Sequence, residues 1–198
     1  MKKKTLFTFV PIMMCLILIC SAVAPVIHMS EDISTKVFRL HILANSDEDY
    51  DQELKLRVRD KILLISENLF AQCSDVREAV KISQDNLDLL KNAAQKVIAF
   101  YGYTYDARVY VTKEYFNTRK YDNFTLPAGI YDSLKIEIGE GKGHNWWCVM
   151  FPSVCLSGCT DDFDETLTQE EKEMIESGKY IVRFKAVEIY ESIKSKFS

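Results

Sequence analysis

The sequence predicts a single α+β domain, in which a small mixed or antiparallel sheet is covered by amphipathic helices, after an N-terminal apolar leader. Short segments with alternating apolar and polar residues are typical of strands, and longer segments whose apolar residues recur every three or four positions are typical of helices. The chain has 198 residues, of which 47% are hydrophobic and 27% charged, as in ordinary globular proteins. No internal repeat or low-complexity linker divides the chain, so we expect one domain.

The leader combines a basic start with an apolar stretch. Lys2, Lys3 and Lys4 precede residues 6–23, which contain no charged side chain, and this order is that of a secretory signal. Residues 22–24 have the small-x-small form that signal peptidase accepts, and the stretch is also about long enough, at roughly 20 residues, to span a bilayer. We therefore predict a signal peptide or membrane anchor over residues 1–24, a linker over 25–35 and an extracytoplasmic domain over 36–198.

The domain is predicted to begin with a strand and a helix. Residues 36–42 alternate, with Arg39 and His41 on the polar side. The apolar side is expected to face the core, whereas the polar side either faces water or a neighbouring loop or forms a recognition surface. Ser46 and Asp49 stand at the spacing of a capping box, which predicts a helix that begins near Asp49. The apolar residues of this helix share one stripe: Leu54, Val58, Ile62, Ile65 and Leu69.

The remaining elements follow from similar patterns. A second helix is predicted to begin near Asp75 and to stop at Gly102, and strands are predicted over residues 105–112 and 130–138. An acidic run, residues 161–165, reads as solvated loop. Two helices are predicted to close the chain, the first with Thr168 and Glu171 as its capping box. The second is expected to carry an apolar stripe: Val182, Ala186, Ile189, Ile193 and Phe197.

The charge balance argues against a nucleic-acid ligand. The chain has 25 basic and 29 acidic side chains, a net charge of −4. Without the three lysines of the leader the balance is 22 against 29, a net charge of −7. Binding that depends on neutralising phosphates does not suit such a domain, so we expect protein partners.

The densest patch of chemically useful residues is residues 139–148, which hold three glycines, a lysine, a histidine, both tryptophans and a cysteine. The patch is not a P-loop, because Ile136 occupies the first glycine position and Gly143 the hydroxyl position, and the spacing of a dinucleotide loop fails as well. Trp146 and Trp147 are adjacent in an extended stretch. Either one of them enters the core while the other anchors a partner, or both belong to the core.

The cysteines allow three interpretations. Cys148 and Cys155 form a local disulfide in the first, which is common in exported proteins. In the second, His144 activates Cys148 as the thiol of a hydrolase. In the third, four residues of suitable chemistry bind zinc: His144, Cys148, Cys155 and Cys159.

Two blocks of sequence resemble the stage II sporulation protein R family. The first is FRLHILANSD (residues 38–47) followed by DQELKLRVRD (51–60), and the second is LPAGIY (126–131) followed by IGEGKGHNWWCVMFP (138–152), with Cys155 three residues further on. The resemblance spans about residues 36–156. Ser153 stands where a second proline is expected, and Cys73 and Cys159 are outside the family pattern.

The resemblance implies a signalling protein of endospore formation. Such a protein is made in the forespore and exported to the space between forespore and mother cell, where it activates a membrane-embedded aspartic protease that matures the mother-cell sigma factor. It has no catalytic activity, cofactor or metal of its own, and contacts the membrane only through its leader. The expected disulfide joins Cys148 to Cys155, and the alternatives are the exported cysteine hydrolase and a zinc-stabilised binding module. The residues predicted to bind the protease are Arg39, His41, Asn45, Lys142, His144, Asn145, Trp146 and Trp147.

Overall fold

Helices and strands are arranged along the chain as the sequence predicts for an α+β domain. The computed structural model describes residues 2–121, 123–152, 163, 166–176 and 181–197. The helices are α1 (Lys2–Lys36), α2 (Asp49–Phe70), α3 (Val76–Asp85), α4 (Leu87–Phe100), α5 (Gln169–Glu176) and α6 (Ile181–Phe197). The strands are β1 (Phe38–Leu43), β2 (Ala107–Phe116), β3 (Arg119–Lys120), β4 (Thr125–Leu126), β5 (Gly129–Ile138) and β6 (Asn145–Phe151).

A mixed four-stranded sheet in the order β2-β5-β1-β6 forms the middle of the domain. β1 runs parallel to β5 and antiparallel to β6, and β2 runs antiparallel to β5. β3 and β4 form a separate two-stranded ribbon. The predicted fold class, an α+β domain with a small mixed sheet and covering helices, is confirmed.

Each face of the sheet contributes to its own hydrophobic core. The first core joins one face to α2, α3 and α4, through residues such as Leu40, Ile136, Val58, Leu90 and Ile98. The second core joins the other face to α1, α5 and α6, through residues such as Tyr131, Ile33, Ile175, Phe184 and Val187. Both faces of β1 are therefore buried, which is typical of a central strand covered by helices on both sides.

Helix α1 corrects the predicted linker over residues 25–35. This segment is the C-terminal part of a continuous helix, and Val26, Ser30 and Ile33 are buried in it. Lys36 closes the helix with ion pairs of 2.8 Å to Asp32 and to Glu171 of α5. The apolar residues at positions 26, 33 and 37 already have helical spacing. No helix in the described part of the chain is both long and apolar enough to cross a membrane.

The start of α2 lies where the sequence predicts, but its cap differs. Asp49 is the first residue of the helix, whereas Glu48 is the N-cap and makes no side-chain cap bond. The predicted capping box of Ser46 and Asp49 is wrong, because the Ser46 hydroxyl donates to Asp51 Oδ2 at 2.6 Å instead.

The helix predicted from Asp75 to Gly102 is two helices. Asp75 caps the first by accepting from the Glu78 N–H at 3.0 Å, as expected. Asn86 then interrupts the helix, because its side-chain Nδ2 donates to the Ile82 carbonyl oxygen at 2.8 Å and so competes with the backbone. Gly102 ends α4 with a φ of 84°, a conformation that favours glycine.

The C-terminal helices are partly as predicted. Thr168 and Glu171 form the expected capping box, with bonds of 3.3 and 2.7 Å. The predicted stripe on α6 is wrong where the structure describes its side chains, because Ile189 and Ile193 are 63% and 54% exposed. The buried face of α6 instead holds Phe184, Val187 and Glu191, while the side chains at 182, 186 and 197 lie outside the described residues. Most of the acidic run also lies outside them, but Phe163 within it is fully buried.

We expect Ile33→Ala in α1 to lower the free energy of unfolding by about 2–5 kcal/mol, because it leaves a cavity in the second core. Urea denaturation of the chain monitored by circular dichroism measures this change. Ile189→Ala on the exposed face of α6 is the matched control, with an expected change within about 0.5 kcal/mol. Equal losses in the two variants would contradict the placement of residues 25–36 in the core.

Candidate functional site

The two sequence blocks meet at one edge of the sheet. Because β1 and β5 are parallel neighbours, their C-terminal ends lie side by side. β1 continues into an acidic turn (residues 44–49), and β5 continues into a glycine loop (residues 139–144). The N–H groups of Gly143 and Lys142 donate to the carbonyl oxygens of Ala44 and Asn45 at 3.0 and 3.3 Å, and the Glu140 N–H donates to Asn45 Oδ1 at 3.0 Å. The glycine loop and the acidic turn are therefore joined by backbone hydrogen bonds.

Two glycines permit this close approach. A Cβ atom on Gly143 would lie 2.1 Å from the Ser46 carbonyl oxygen, and one on Gly139 would lie 2.3 Å from Asn45 Oδ1. Gly139 and Gly141 also have positive φ angles of 59° and 65°, a region that L side chains rarely adopt. Glycine at these positions is thus required by contact and by backbone conformation.

The first turns of α2 connect both segments to the domain. Asp51, almost fully buried, accepts hydrogen bonds from Asn45 Nδ2 at 2.8 Å and from the Ser46 hydroxyl at 2.6 Å. Lys55 is also buried, and its ammonium donates to the His144 carbonyl oxygen at 2.8 Å. Burial lowers the pKa of Lys55. The main chain of the glycine loop is consequently fixed to a helix as well as to the acidic turn.

Three of the residues predicted to bind a partner lie exposed on this edge. Lys142 and His144 project into solvent and pair with Glu140 at 2.7 Å and Asp47 at 2.5 Å. Asn145 is exposed as well, whereas Asn45 is half-buried because it holds the glycine loop. The structure thus places an exposed set of polar side chains on a constrained backbone.

Arg39 lies in the core, not on a recognition surface. Its side chain is fully buried, with the guanidinium carbon 4.1 Å from the ring centre of Phe116 and 5.0 Å from that of Tyr131. Its Nη2 donates to the Tyr121 hydroxyl at 2.7 Å. The expectation of an exposed polar face on β1 is wrong, because α1, α5 and α6 cover this side of the sheet. Arg39 therefore has no surface with which to contact a partner in this structure.

His41 is buried and lies at the centre of a polar cluster. Its Nδ1 lies 3.0 Å from both carboxylate oxygens of Glu114, and its Nε2 lies 2.7 Å from Asn145 Oδ1. Glu114 also accepts from the Ser133 hydroxyl at 2.6 Å and from the Lys135 ammonium at 3.3 Å. These side chains meet because β5 separates β1 from β2 and all three strands turn the same face toward the cluster. His41 thereby connects the interior of the sheet to the exposed Asn145.

The environment of Glu114 favours its ionised form. Burial alone would raise the pKa of this carboxyl. Hydrogen bonds from His41 and Ser133, together with the charges of His41 and Lys135, outweigh burial and lower the pKa of Glu114 to about 2. The cluster therefore holds a carboxylate throughout the neutral pH range.

The two tryptophans lie on opposite faces of the sheet. Trp146 packs against the first core and Trp147 against the second, and each is half-buried. The guanidinium of Arg59 lies 4.4 Å from the ring centre of Trp146, and that of Arg119 lies 4.8 Å from that of Trp147. The predicted arrangements, one tryptophan in the core with the other free or both in the core, are not found. Each tryptophan instead lies partly in a core and is partly covered by an arginine.

The cysteines do not form the predicted hydrolase pair. Cys148 is buried in the first core and is disulfide-bonded. His144 points into solvent beside Asp47, and the strand between Asn145 and Cys148 alone spans about 10 Å. Cys155 and Cys159 lie outside the described residues, so the Cys148–Cys155 pairing stays a prediction. No group of three or more metal-binding side chains is present among the described residues, and the zinc set includes two cysteines that are not among them.

The chain is an α+β protein in which two sequence blocks are joined at one edge of a mixed sheet. The family model described as stage II sporulation protein R matches residues 34–161. The stage II sporulation protein R of Bacillus subtilis (strain 168) is 34% identical over 141 residues, which is 71% of this chain and 62% of that protein. The chain thus belongs to the stage II sporulation protein R family, although it matches less than two thirds of that relative's length. No solved structure matches the chain.

Sequence reasoning missed the residues that support the exposed ones. Glu114, Ser133 and Lys135 interrupt the apolar pattern of β2 and β5, and Asp51 and Lys55 look like solvent-exposed positions on α2. The sequence contained one sign of this cluster, namely charged and hydroxyl residues at strand positions on the same face as Arg39 and His41. The register that brings these residues together is a tertiary property.

We expect Gly143→Ala to lower the free energy of unfolding by about 2–4 kcal/mol, because the new methyl group would displace the Ser46 carbonyl and disrupt the backbone bonds beside it. Gly141→Ala is the matched control. It meets only backbone strain, which costs about 1–2 kcal/mol. Urea denaturation gives both values, and a larger loss for Gly141→Ala would contradict the contact between the glycine loop and the acidic turn.

Glu114 predicts an acid-sensitive contribution to stability. Because its folded pKa of about 2 lies below its ordinary 4.5, the contribution is complete above pH 4.5 and is lost as the pH falls toward 2. We expect Glu114→Gln to remove about 2–3 kcal/mol at neutral pH and to flatten the dependence of the unfolding free energy on pH below 4.5. Urea denaturation across this range measures the effect. Glu67→Gln, at an exposed carboxylate, is the control and should leave the dependence of the unfolding free energy on pH as in the wild-type chain. A wild-type dependence in Glu114→Gln as well would refute the assignment.

Proposed function

We propose that this sporulation protein is a secreted signal between compartments, which activates a membrane-embedded aspartic protease and so triggers proteolytic maturation of the mother-cell sigma factor. Membership of the stage II sporulation protein R family supports a role in sporulation. The specific partner and the activating role are what the sequence resemblance implies. The protein itself supplies binding energy in this proposal and no reacting group.

The observation that carries the proposal is the exposed, constrained edge formed by the glycine loop and the acidic turn. Lys142, His144 and Asn145 are exposed there. Their backbone is fixed by hydrogen bonds to the carbonyl oxygens of Ala44 and Asn45 and by one from the Lys55 ammonium. A surface that is already ordered loses less conformational entropy on binding. We assign the contact with the protease to this edge, together with the half-buried rings of Trp146 and Trp147.

His41 is a positioning residue in this scheme. It is buried, and it acts through its 2.7 Å contact with Asn145 Oδ1. Arg39 stabilises the second core beneath it through the aromatic rings of Phe116 and Tyr131. The predicted partner-binding set therefore divides into exposed contact residues and buried residues that hold the strands beneath them.

Activation requires a difference in affinity. A bound protein shifts its partner between inactive and active states only if it binds the active state more tightly. Because the edge is rigid, we propose that it selects the protease conformation that fits it.

The leader delivers the domain to the partner in this proposal. Residues 1–24 carry the signals for export, with the domain released or retained at the outer surface of the membrane. Cleavage after Ala24 would leave residues 25–36 in place, and these are the residues of α1 that the second core uses. Release of the leader is thus compatible with the fold.

The test is co-production of the exported chain with the protease and its pro-sigma substrate in cells that do not sporulate. We expect His144→Ala combined with Lys142→Ala to reduce the processed fraction of the sigma factor by about tenfold, which corresponds to the loss of one strong interface contact. Trp147→Ala should cause a similar loss. Lys81→Ala, at an exposed lysine on α3, is the control and should process normally.

The amount and the thermal unfolding of each exported variant are measured in parallel. Processing that does not depend on the wild-type chain would refute the activating role. Normal processing by all edge variants, with processing still dependent on the wild-type chain, would refute only the assignment of the contact surface.

A further inference from the structure

A second surface of the domain has the features of a docking groove. It lies between α2 and α4, on the outer side of the helical layer, with a volume of about 450 Å³. Lys61 and Ile65 of α2 form one wall, and residues of α4 from Leu89 to Phe100 form the other. Since an α-helix rises 1.5 Å per residue, this wall extends for roughly 16 Å, about three helical turns.

The groove is apolar and uncovered in the chain. Leu89, Phe100 and Tyr101 are 48%, 83% and 47% exposed. Helix α4 already buries a separate face, with Leu90, Ala94 and Ile98, in the first core. It also carries exposed apolar side chains, Leu89 and Phe100, along the outer face that lines the groove. Exposed apolar side chains that are grouped in one patch are a feature of interaction sites.

Both charged residues that line the groove are basic. Lys61 and Lys96 line it, and no aspartate or glutamate does so among the described residues. Among the described residues, neither lysine has a carboxylate oxygen within 4.0 Å of its ammonium nitrogen. The chain as a whole has a net charge of −4, so these two lysines form a basic rim on a protein that is acidic overall.

We propose that the groove between α2 and α4 binds an amphipathic helix of a partner protein, whose apolar stripe is flanked by acidic residues. Recognition of this kind places apolar side chains at i, i+4 and i+7 along a hydrophobic groove, and the length of α4's outer face matches about three turns of such a helix. Acidic flanks complement Lys61 and Lys96. A second copy of the chain fits less well, because a twofold contact through the groove would bring the lysines of both copies together.

This inference goes beyond the proposed function and does not depend on it. The groove lies on the helical layer of the first core, whereas the glycine loop lies at the edge of the sheet. Its test needs neither the protease nor the sigma factor.

The test uses two fluorescent synthetic helical peptides with the same leucine stripe at i, i+4, i+7 and i+11, one flanked by glutamates and the other by lysines. Binding to the purified full chain is measured by fluorescence anisotropy. We expect the glutamate peptide to bind at least about tenfold more tightly than the lysine peptide, and Lys61→Glu combined with Lys96→Glu to reverse this preference. Phe100→Ala should weaken binding of the glutamate peptide by about tenfold.

Two control variants lie outside the groove. Lys81→Glu on α3 and Ile193→Ala on α6 should leave both affinities unchanged, and unchanged thermal unfolding of Phe100→Ala shows that its effect is on binding. Absence of binding, equal affinity for both peptides or insensitivity to the charge reversal would overturn the proposal. So would a dimer in sedimentation experiments that Phe100→Ala dissociates, or binding to anionic vesicles in place of the glutamate peptide.

Discussion

The parallel pairing of β1 with β5 is the constraint on which the rest of this structure depends. It carries the chain from each strand to the same edge of the sheet, and so brings together two segments almost a hundred residues apart in the sequence. The glycine loop and the acidic turn then satisfy each other's backbone hydrogen-bonding groups. Without this contact, the backbone groups of a buried or half-buried loop would need other hydrogen-bond partners. Gly143 and Asn45 are the local residues that this pairing requires.

The same pairing creates a problem on the second face of the sheet, where two basic side chains of β1, Arg39 and His41, are buried. The structure solves it in two different ways. His41 has a carboxylate partner in Glu114, so its polar atoms are paired. Arg39 has one hydrogen bond, to Tyr121, and its charge is otherwise stabilised by the faces of two aromatic rings. Removing one of these aromatic rings would therefore leave a cavity and would also take away part of what stabilises the buried charge of Arg39.

The strand and helix patterns were sufficient to predict the fold class and the start of α2, because they are local. Burial was less predictable. The alternation of β1 assigned Arg39 and His41 to a polar side, but a strand covered on both faces buries polar side chains when neighbouring strands supply partners. The rotation of α6 about its axis was likewise set by packing, since its sequence offers both Ile189 and Val187 as apolar positions. The position of residues 25–35 was missed because the apolar leader dominates the pattern that precedes them.

The candidate site was predictable in part, on the same grounds. Lys142, His144 and Asn145 are exposed as a recognition surface requires, because glycines and polar residues favour a surface loop. The supporting residues were not visible, since Asp51, Lys55 and Glu114 acquire their roles only through contacts made across the sheet or between helix and loop. A charged residue gives no local sign that it will be buried.

The second core joins distant parts of the chain. Lys36 of α1 contacts Glu171 of α5 across 135 positions, and Glu31 of α1 contacts Lys194 of α6 across 163. The first core is built largely from α2, α3 and α4, which follow one another directly. Chain closure over long separations slows the formation of contacts. The helices α2 to α4 can therefore pack on one another after short chain closures, whereas α1 reaches α5 and α6 only through closures of 135 and 163 positions.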